Sequence, residues 1–263
     1  MSAPELIVAT SVVNPEVQTP LLVTNHENIG MGREFKRIIY AEVLGHAALA
    51  GPNADPNAEN MGTGRTVSLM ERIHVMQPGM LGSSDIFVRN WHAYRAAGIP
   101  TVPTLRTSDN RGTLLVTDVK ADGSEVYGKG MAQALSGRHD IGRYRANTQI
   151  DPLFLEITAD KNWQVIVNKA NEYTERAVDA GIVLAYDDAF EMIVHPDGTW
   201  DLIALDLLHA VAPGEETAGT RGQNRAALSR KYEAYFLAEL DIARVRLERR
   251  ASEARLKIGL MQN

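Results

Sequence analysis

At 263 residues, with a net charge of −6 and no cysteine, the chain is long enough for a sizeable core but lacks all thiol chemistry. Disulfides, thiolate metal sites and a cysteine nucleophile are excluded, and the acidic balance argues against a broad electrostatic grip on nucleic acid. No apolar run approaches the ~20 residues that span a bilayer. The opening MSAPELIVATSVVNPE lacks the basic region of a signal peptide, so a cytoplasmic location and no membrane partner are expected.

The first half reads as strands punctuated by turns. Residues 21–24 and 35–44 are β-like runs flanking Asn28-Ile29-Gly30-Met31-Gly32, where glycines would let backbone N–H groups approach a ligand closely. Residues 51–64, GPNADPNAENMGTG, are dense in turn formers and predict an exposed loop. Residues 66–76 predict a strand with Val67, Leu69, Glu71 and Ile73 on one face and Ser68, Met70, Arg72 and His74 on the other. Ser83-Ser84-Asp85 is an N-cap signal, and Phe87, Trp91 and Tyr94 recur at helical spacing, so a helix should run to Ala97 and stop at Gly98. Residues 102–106 and 112–119 then read as an antiparallel pair.

The second half is helical apart from one hairpin. Residues 161–180 place Trp163, Ile166, Val167, Ala170 and Ala177 at helix spacing, and Gly181 supplies the stop. The tail 223–258 has neither Pro nor Gly, and Leu228, Tyr232, Phe236, Leu240, Ala243 and Leu247 mark its buried stripe. Its basic cluster Arg244, Arg246, Arg249 and Arg250, interleaved with glutamates, reads as a solvated face. Between these helices, residues 181–209 run through an apolar segment, an acidic turn at Asp187-Asp188, a strand at 190–194, the turn His195-Pro196-Asp197-Gly198, a strand at 200–205 and the isolated acid Asp206. Two acids at the two ends of one hairpin repel each other and suggest a shared cation or a proton to manage.

That order of elements, with these acids, resembles the protein-kinase and aminoglycoside-phosphotransferase family over roughly residues 20 to 210. Residues 29–45, IGMGREFKRIIYAEVLG, resemble the glycine-rich loop and second strand; 94–106 resemble the end of the single N-lobe helix; 112–130 resemble the fifth strand and hinge. The resemblance implies an α+β, two-lobed fold: a β-rich antiparallel N-lobe with one helix (1–120) and a mainly helical C-lobe (121–263) carrying the acidic hairpin 187–206 and the long C-terminal helix. It implies ATP and Mg²⁺ as cofactors. Asp187 or Asp188 would be the catalytic acid, Gly30, Gly32, Arg72 and Asp118 would bind nucleotide, and Asp206 with Glu191 would hold the metal, Asp188 being an alternative to Glu191.

The sequence departs from the family pattern at several points. The third glycine of the loop is missing, Phe35 falling where the turn returns. The third strand has no lysine, Arg72 being its only arginine or lysine, and the helix has Asp85 as its only acid, so an Arg72–Asp85 pair is a candidate substitute. Ala185-Tyr186-Asp187 stands for His-x-Asp, Met192 falls at the metal-binding asparagine, and Asp206-Leu207-Leu208 keeps only the acid of Asp-Phe-Gly. Three functions are therefore expected to compete. The first is a divergent ATP/Mg²⁺-dependent phosphotransferase acting on a small-molecule or protein hydroxyl. The second is a pseudokinase serving as a binding module, with the C-terminal helix as a docking surface for a protein partner. The third is a non-kinase α+β protein whose acids bind a structural metal. An acceptor pocket would be built by residues 138–150 and the tail helix.

Overall fold

A computed structural model describes residues 5–12, 18–31, 34–44, 66–74, 83–102, 104–107, 114–136, 146–186, 188–205 and 207–261. The chain is a mixed α/β protein with antiparallel sheets, and it divides into two units, Met1–His92 with Val102–Ala121, and Ala93–Thr101 with Asp122–Asn263.

The first unit contains β1 (Glu5–Ser11), β2 (Gln18–Met31), β3 (Glu34–Val43), β4 (Thr66–His74), most of α1 (Ser83–Ala96), β5 (Thr104–Thr107) and β6 (Leu114–Thr117). The strands close into a barrel in the order β1-β2-β3-β4-β6-β5. Ala9, Leu21, Val23, Ile39, Ala41, Val43, Leu69, Leu105 and Leu115 fill its interior, with Ile7 and Val67 packed against them. Val67 and Leu69 thus occupy the face that the alternation of β4 assigns to them.

Closure is the difference from the antiparallel sheet expected here. It comes from β1, which pairs with β2 on one side and reaches β5 on the other through Ala9↔Thr107 and Thr10↔Arg106. Closing the sheet removes the unpaired edges that would otherwise template association. Helix α1 joins this unit through an ion pair from Asp85 to Arg106 of β5 at 2.8 Å and a hydrogen bond that the Trp91 indole donates to Val102 O at 2.8 Å. Asp85 therefore serves β5.

The second unit contains β7 (Glu125–Tyr127), α2 (Lys129–Leu135), α3 (Ile150–Ile157), α4 (Asp160–Asp179), β8 (Glu191–Val194), β9 (Trp200–Ile203) and α5 (Arg225–Met261). The strands form one antiparallel sheet, β7-β8-β9. The segment Ala93–Thr101 is anchored here, Ala204 N donating to Pro100 O at 3.0 Å and Arg176 Nη1 to Gly98 O at 2.6 Å. Helices α2, α3 and α4 all contact α5, whose Phe236, Leu240, Ala243 and Leu247 are buried.

The basic cluster of α5 is less solvated than its sequence suggests. Arg246 donates to Ala132 O at 3.0 Å and Arg250 to Leu135 O at 3.3 Å, so two cations meet the carbonyl end of α2, where the helix dipole favours positive charge. Arg244 bridges Asp160 of α4 and Asp241 at 2.7 and 2.8 Å. Arg249, paired with Glu253 one turn on, is exposed, as is Arg250. The loop 51–64 and most of the segment 138–150 lie outside the described residues. Among the described residues no helix is long and apolar enough to cross a membrane.

Candidate acidic site

The approach to the acids is fixed by backbone geometry and by α5. Helix α4 ends where Gly181 takes φ +71°, a left-handed conformation that glycine adopts without strain, and Ile182 N closes the turn onto Ala177 O at 2.8 Å. Ile182, Val183, Leu184 and Ala185 are then buried. Val183 exchanges two backbone hydrogen bonds with Val211, at 3.0 and 2.9 Å. Ser229 of α5 donates to Ile182 O and accepts from Leu184 N, both at 3.2 Å, so a single hydroxyl satisfies two buried groups of this segment. Tyr94, fully buried, turns its oxygen toward the Ala185 backbone without reaching hydrogen-bond geometry, and burial holds its phenol well above the usual range.

Beyond Ala185, Tyr186 is half exposed and its ring meets His209 at 5.0 Å and Tyr232 of α5 at 6.5 Å. Asp188 is half-buried, and Ala189 and Phe190 return to the core, Phe190 resting on Phe236 at 5.7 Å. Strand β8 opens with Glu191. The hairpin turn is the one the sequence predicts: Gly198 N donates to His195 O at 3.0 Å, Gly198 has φ +83°, and Asp197 Oδ1 accepts from Thr199 N and Oγ1 at 2.9 and 2.6 Å. Those Thr199 hydrogen bonds hold the Asp197 carboxyl below its usual range. Strand β9 returns the chain to Leu205, and after Asp206 a tight turn, Leu207–His209, leads to Val211.

The pairing of β7 with β8 has a local consequence. Tyr127 stands opposite Met192, which brings Gly128 beside Glu191. A Cβ on Gly128 would collide with the Glu191 carboxylate, so a side chain here would displace Glu191. Met192 is fully buried in β8, a core residue at the position where a metal-binding asparagine would fall.

Of the residues singled out in the sequence, Asp187, Asp206 and Gly32 lie outside the described residues. The segments beside the two acids do converge, through the Val183–Val211 pairing and the Tyr186–His209 contact. In the first unit, Gly30 lies in β2 opposite Lys36, just past a break in register, and Arg72 lies in β4 opposite both Lys36 and Leu114. The Asp118 carboxylate accepts from Ser68 Oγ at 2.8 Å and from Lys120 N at 3.1 Å, tying β4 to the turn after β6. Sequence reasoning passed over Gly128, Ser229 and Arg225, whose roles depend on pairings distant in the chain.

The described donors near the hairpin, Glu191 and Asp188, offer hard carboxylate oxygens of the kind Mg²⁺ prefers. Among the described residues no three His, Cys, Asp or Glu side chains are grouped closely enough to hold a metal ion. No protein-family model matches the chain, and no curated protein matches it either.

Proposed function

We propose that the chain is a divergent ATP- and Mg²⁺-dependent phosphotransferase with a two-lobed protein-kinase-like fold, acting on the hydroxyl of a small molecule or protein. The supporting observation is the hairpin β8–β9 with an acid at each end and with the flanking segments drawn together by Val183–Val211 and Tyr186–His209. The chain order of strands, single helix and strands in the first unit also supports it.

In this reading Asp206 and Glu191, or Asp188 in place of Glu191, hold the metal. Bound there, it would neutralise phosphate charge. Asp187 or Asp188 orients the acceptor hydroxyl and takes its proton. Gly30, Gly32, Arg72 and Asp118 are assigned to the nucleotide. Such chemistry rests on positioning and charge neutralisation, which a chain without the usual lysine can still supply in part. The engagement of Asp85 by Arg106, with no lysine in β4, favours a second reading as a nucleotide-binding pseudokinase.

Thermal melting with ATP, ADP and GTP, with and without Mg²⁺ or Mn²⁺, tests both. A ligand that binds only the folded chain at a hundred times its dissociation constant adds about 2.7 kcal/mol of apparent stability. Mg²⁺ with ATP is expected to raise the melting temperature, and Asp206→Asn to weaken the rise. Asp187→Asn or Asp188→Asn should keep the rise and lose phosphoryl transfer. No rise with any nucleotide at saturating metal would retire the ATP-site assignment.

A further inference from the structure

Helix α5 carries apolar residues on two opposite sides. One side, with Phe236, Leu240, Ala243 and Leu247, is buried in its own unit. On the other, Tyr235, Ile242, Val245 and Leu256 are exposed, Val245 at 50% and Leu256 at 68%. The steps between these four are each close to a whole number of 3.6-residue turns, so they share one stripe. A lone exposed apolar side chain is ordinary, whereas a stripe of them on one helix face marks an interaction surface. The end of the helix agrees. From Glu248 to Leu256 every residue except the half-buried Ala251 is exposed, although helices draw most of their stability from packing one face.

The charges along the stripe show what fits it. In chain order they are Lys231, Glu239, Arg249 and Glu253, alternating in sign with Ile242 and Val245 at the middle. Read backwards, the series has the opposite sign at every place. In an antiparallel pair with Ile242 beside the partner's Val245, Lys231 faces the partner's Glu253 and Glu239 faces the partner's Arg249, each twice by symmetry. Asp241 and Glu248 approach on one flank, but both already lie against Arg244 of their own helix, at 2.8 and 3.9 Å. A parallel pair would set each of the four charges against its like. The antiparallel register also lays the exposed stretch 248–256 along 231–239 of the partner, where Phe236 anchors the helix to its own unit.

We propose that the outer face of α5 is a self-association surface, on which two copies of this chain pair through antiparallel α5 helices about a two-fold axis between Ile242 and Val245. This goes beyond the phosphotransferase reading and stands without it.

Sedimentation equilibrium of the full chain over a range of concentrations reads the oligomeric state, and circular dichroism follows the fold. A dimer is expected. Ile242→Glu with Val245→Glu should abolish it at unchanged helical content, because both side chains are exposed in a single copy. Arg249→Glu should weaken the dimer about tenfold or more, and adding Glu239→Arg should restore it. Should the double glutamate variant lose its fold, the charge swap and its rescue carry the test.

The chain has no cysteine, so Arg255→Cys gives a single site for a spin label. The antiparallel register separates the two labels by about 35 Å along the helix axis, whereas a parallel pair brings them within about 20 Å. A chain that stays monomeric, a dimer that survives Ile242→Glu with Val245→Glu, a charge swap without rescue, or labels at the short distance would each overturn the proposal. None of these outcomes bears on the assignment of the acids.

Discussion

Gly128→Ala separates the stability of the fold from the placement of a proposed metal ligand. Gly128 has φ 169° and ψ −147°, an extended backbone that alanine adopts freely. The three nearest atoms that a Cβ would meet all belong to the Glu191 carboxylate, the far end of a flexible chain. Two small terms then oppose each other. Alanine restricts the unfolded chain, which favours folding by about 0.4–1 kcal/mol. Moving Glu191 off its preferred rotamer costs about 0.5–1.5 kcal/mol. The net change should stay within about 1 kcal/mol, or roughly 2–4 °C in melting temperature for a chain of this size.

The displaced carboxylate is another matter. If Glu191 is a metal ligand, Mn²⁺ affinity should fall by about tenfold or more with the fold intact. The assay is a melting curve and a Mn²⁺ titration on Gly128→Ala, Glu191→Ala and the double variant. Since the substitution acts through Glu191, it should add nothing to Mn²⁺ affinity once Glu191 is already alanine. Fully additive losses, or destabilisation above about 3 kcal/mol, would show that Gly128 meets something more rigid and would refute the reasoning.

Two further outcomes follow from buried polar groups. Glu233 of α5 is 8% exposed, and burial, with the Glu175 charge adding to it, raises its carboxyl above the usual range against relief from Arg230 and a Thr174 hydroxyl that falls outside hydrogen-bond geometry. The folded state therefore holds this proton more tightly than the unfolded state, so ionisation destabilises at neutral pH and the penalty disappears as pH falls through the raised value. Glu233→Gln is expected to melt higher than the unaltered chain at pH 7, with the gap closing on acidification; a lower melting temperature at pH 7 would refute it. Tyr94→Phe removes a buried hydroxyl that has no hydrogen-bond partner, a group whose desolvation costs about 1–3 kcal/mol. Its melting temperature should be unchanged or higher, and a loss above about 1 kcal/mol would show that the hydroxyl bonds the Ala185 backbone after all.

The sequence revealed most where structure is local. The turn at residues 195–198, the stop at Gly181 and the helices α1, α4 and α5 all follow from nearby residues, because a turn residue or a 3.6-residue stripe acts within its own segment. Strand β1 was hidden by its own composition. ELIVATS is apolar on both faces, with Ile7 and Ala9 turned inward while Leu6 is 61% exposed, so it shows no alternation to read. Its pairing with β5 joins residues nearly a hundred positions apart, which no local pattern encodes. Strand β7 is 3 residues long and α2 is 7, both below the length at which periodicity separates strand or helix from loop. The acids at the hairpin ends were legible as residues, whereas the contacts that place their segments were not, since Arg225 and Ser229 carry no signal until α5 is laid across the loop.

The departures from the kinase pattern and the contacts of the second unit bear on different halves of one physical problem. Phosphoryl transfer asks a protein for charge neutralisation and for positioning. The missing lysine, the absent helix glutamate and the engagement of Asp85 by Arg106 all weaken the first. The second has support from several contacts around a largely buried hairpin: a paired backbone at Val183 and Val211, a serine serving two backbone groups, an arginine fork from Arg225 on four carbonyls and a glycine that makes room for Glu191. Ile182, Val183, Leu184, Val211 and Ala212 are buried, so their backbone groups need partners within the fold, and these contacts supply them. Holding two segments in register has a use when the groups at their ends must share one small ligand, and a hard divalent cation demands such fixed oxygen geometry. Under the proposed phosphotransferase reading, the metal titration of the Gly128 variants therefore tests positioning separately from charge neutralisation.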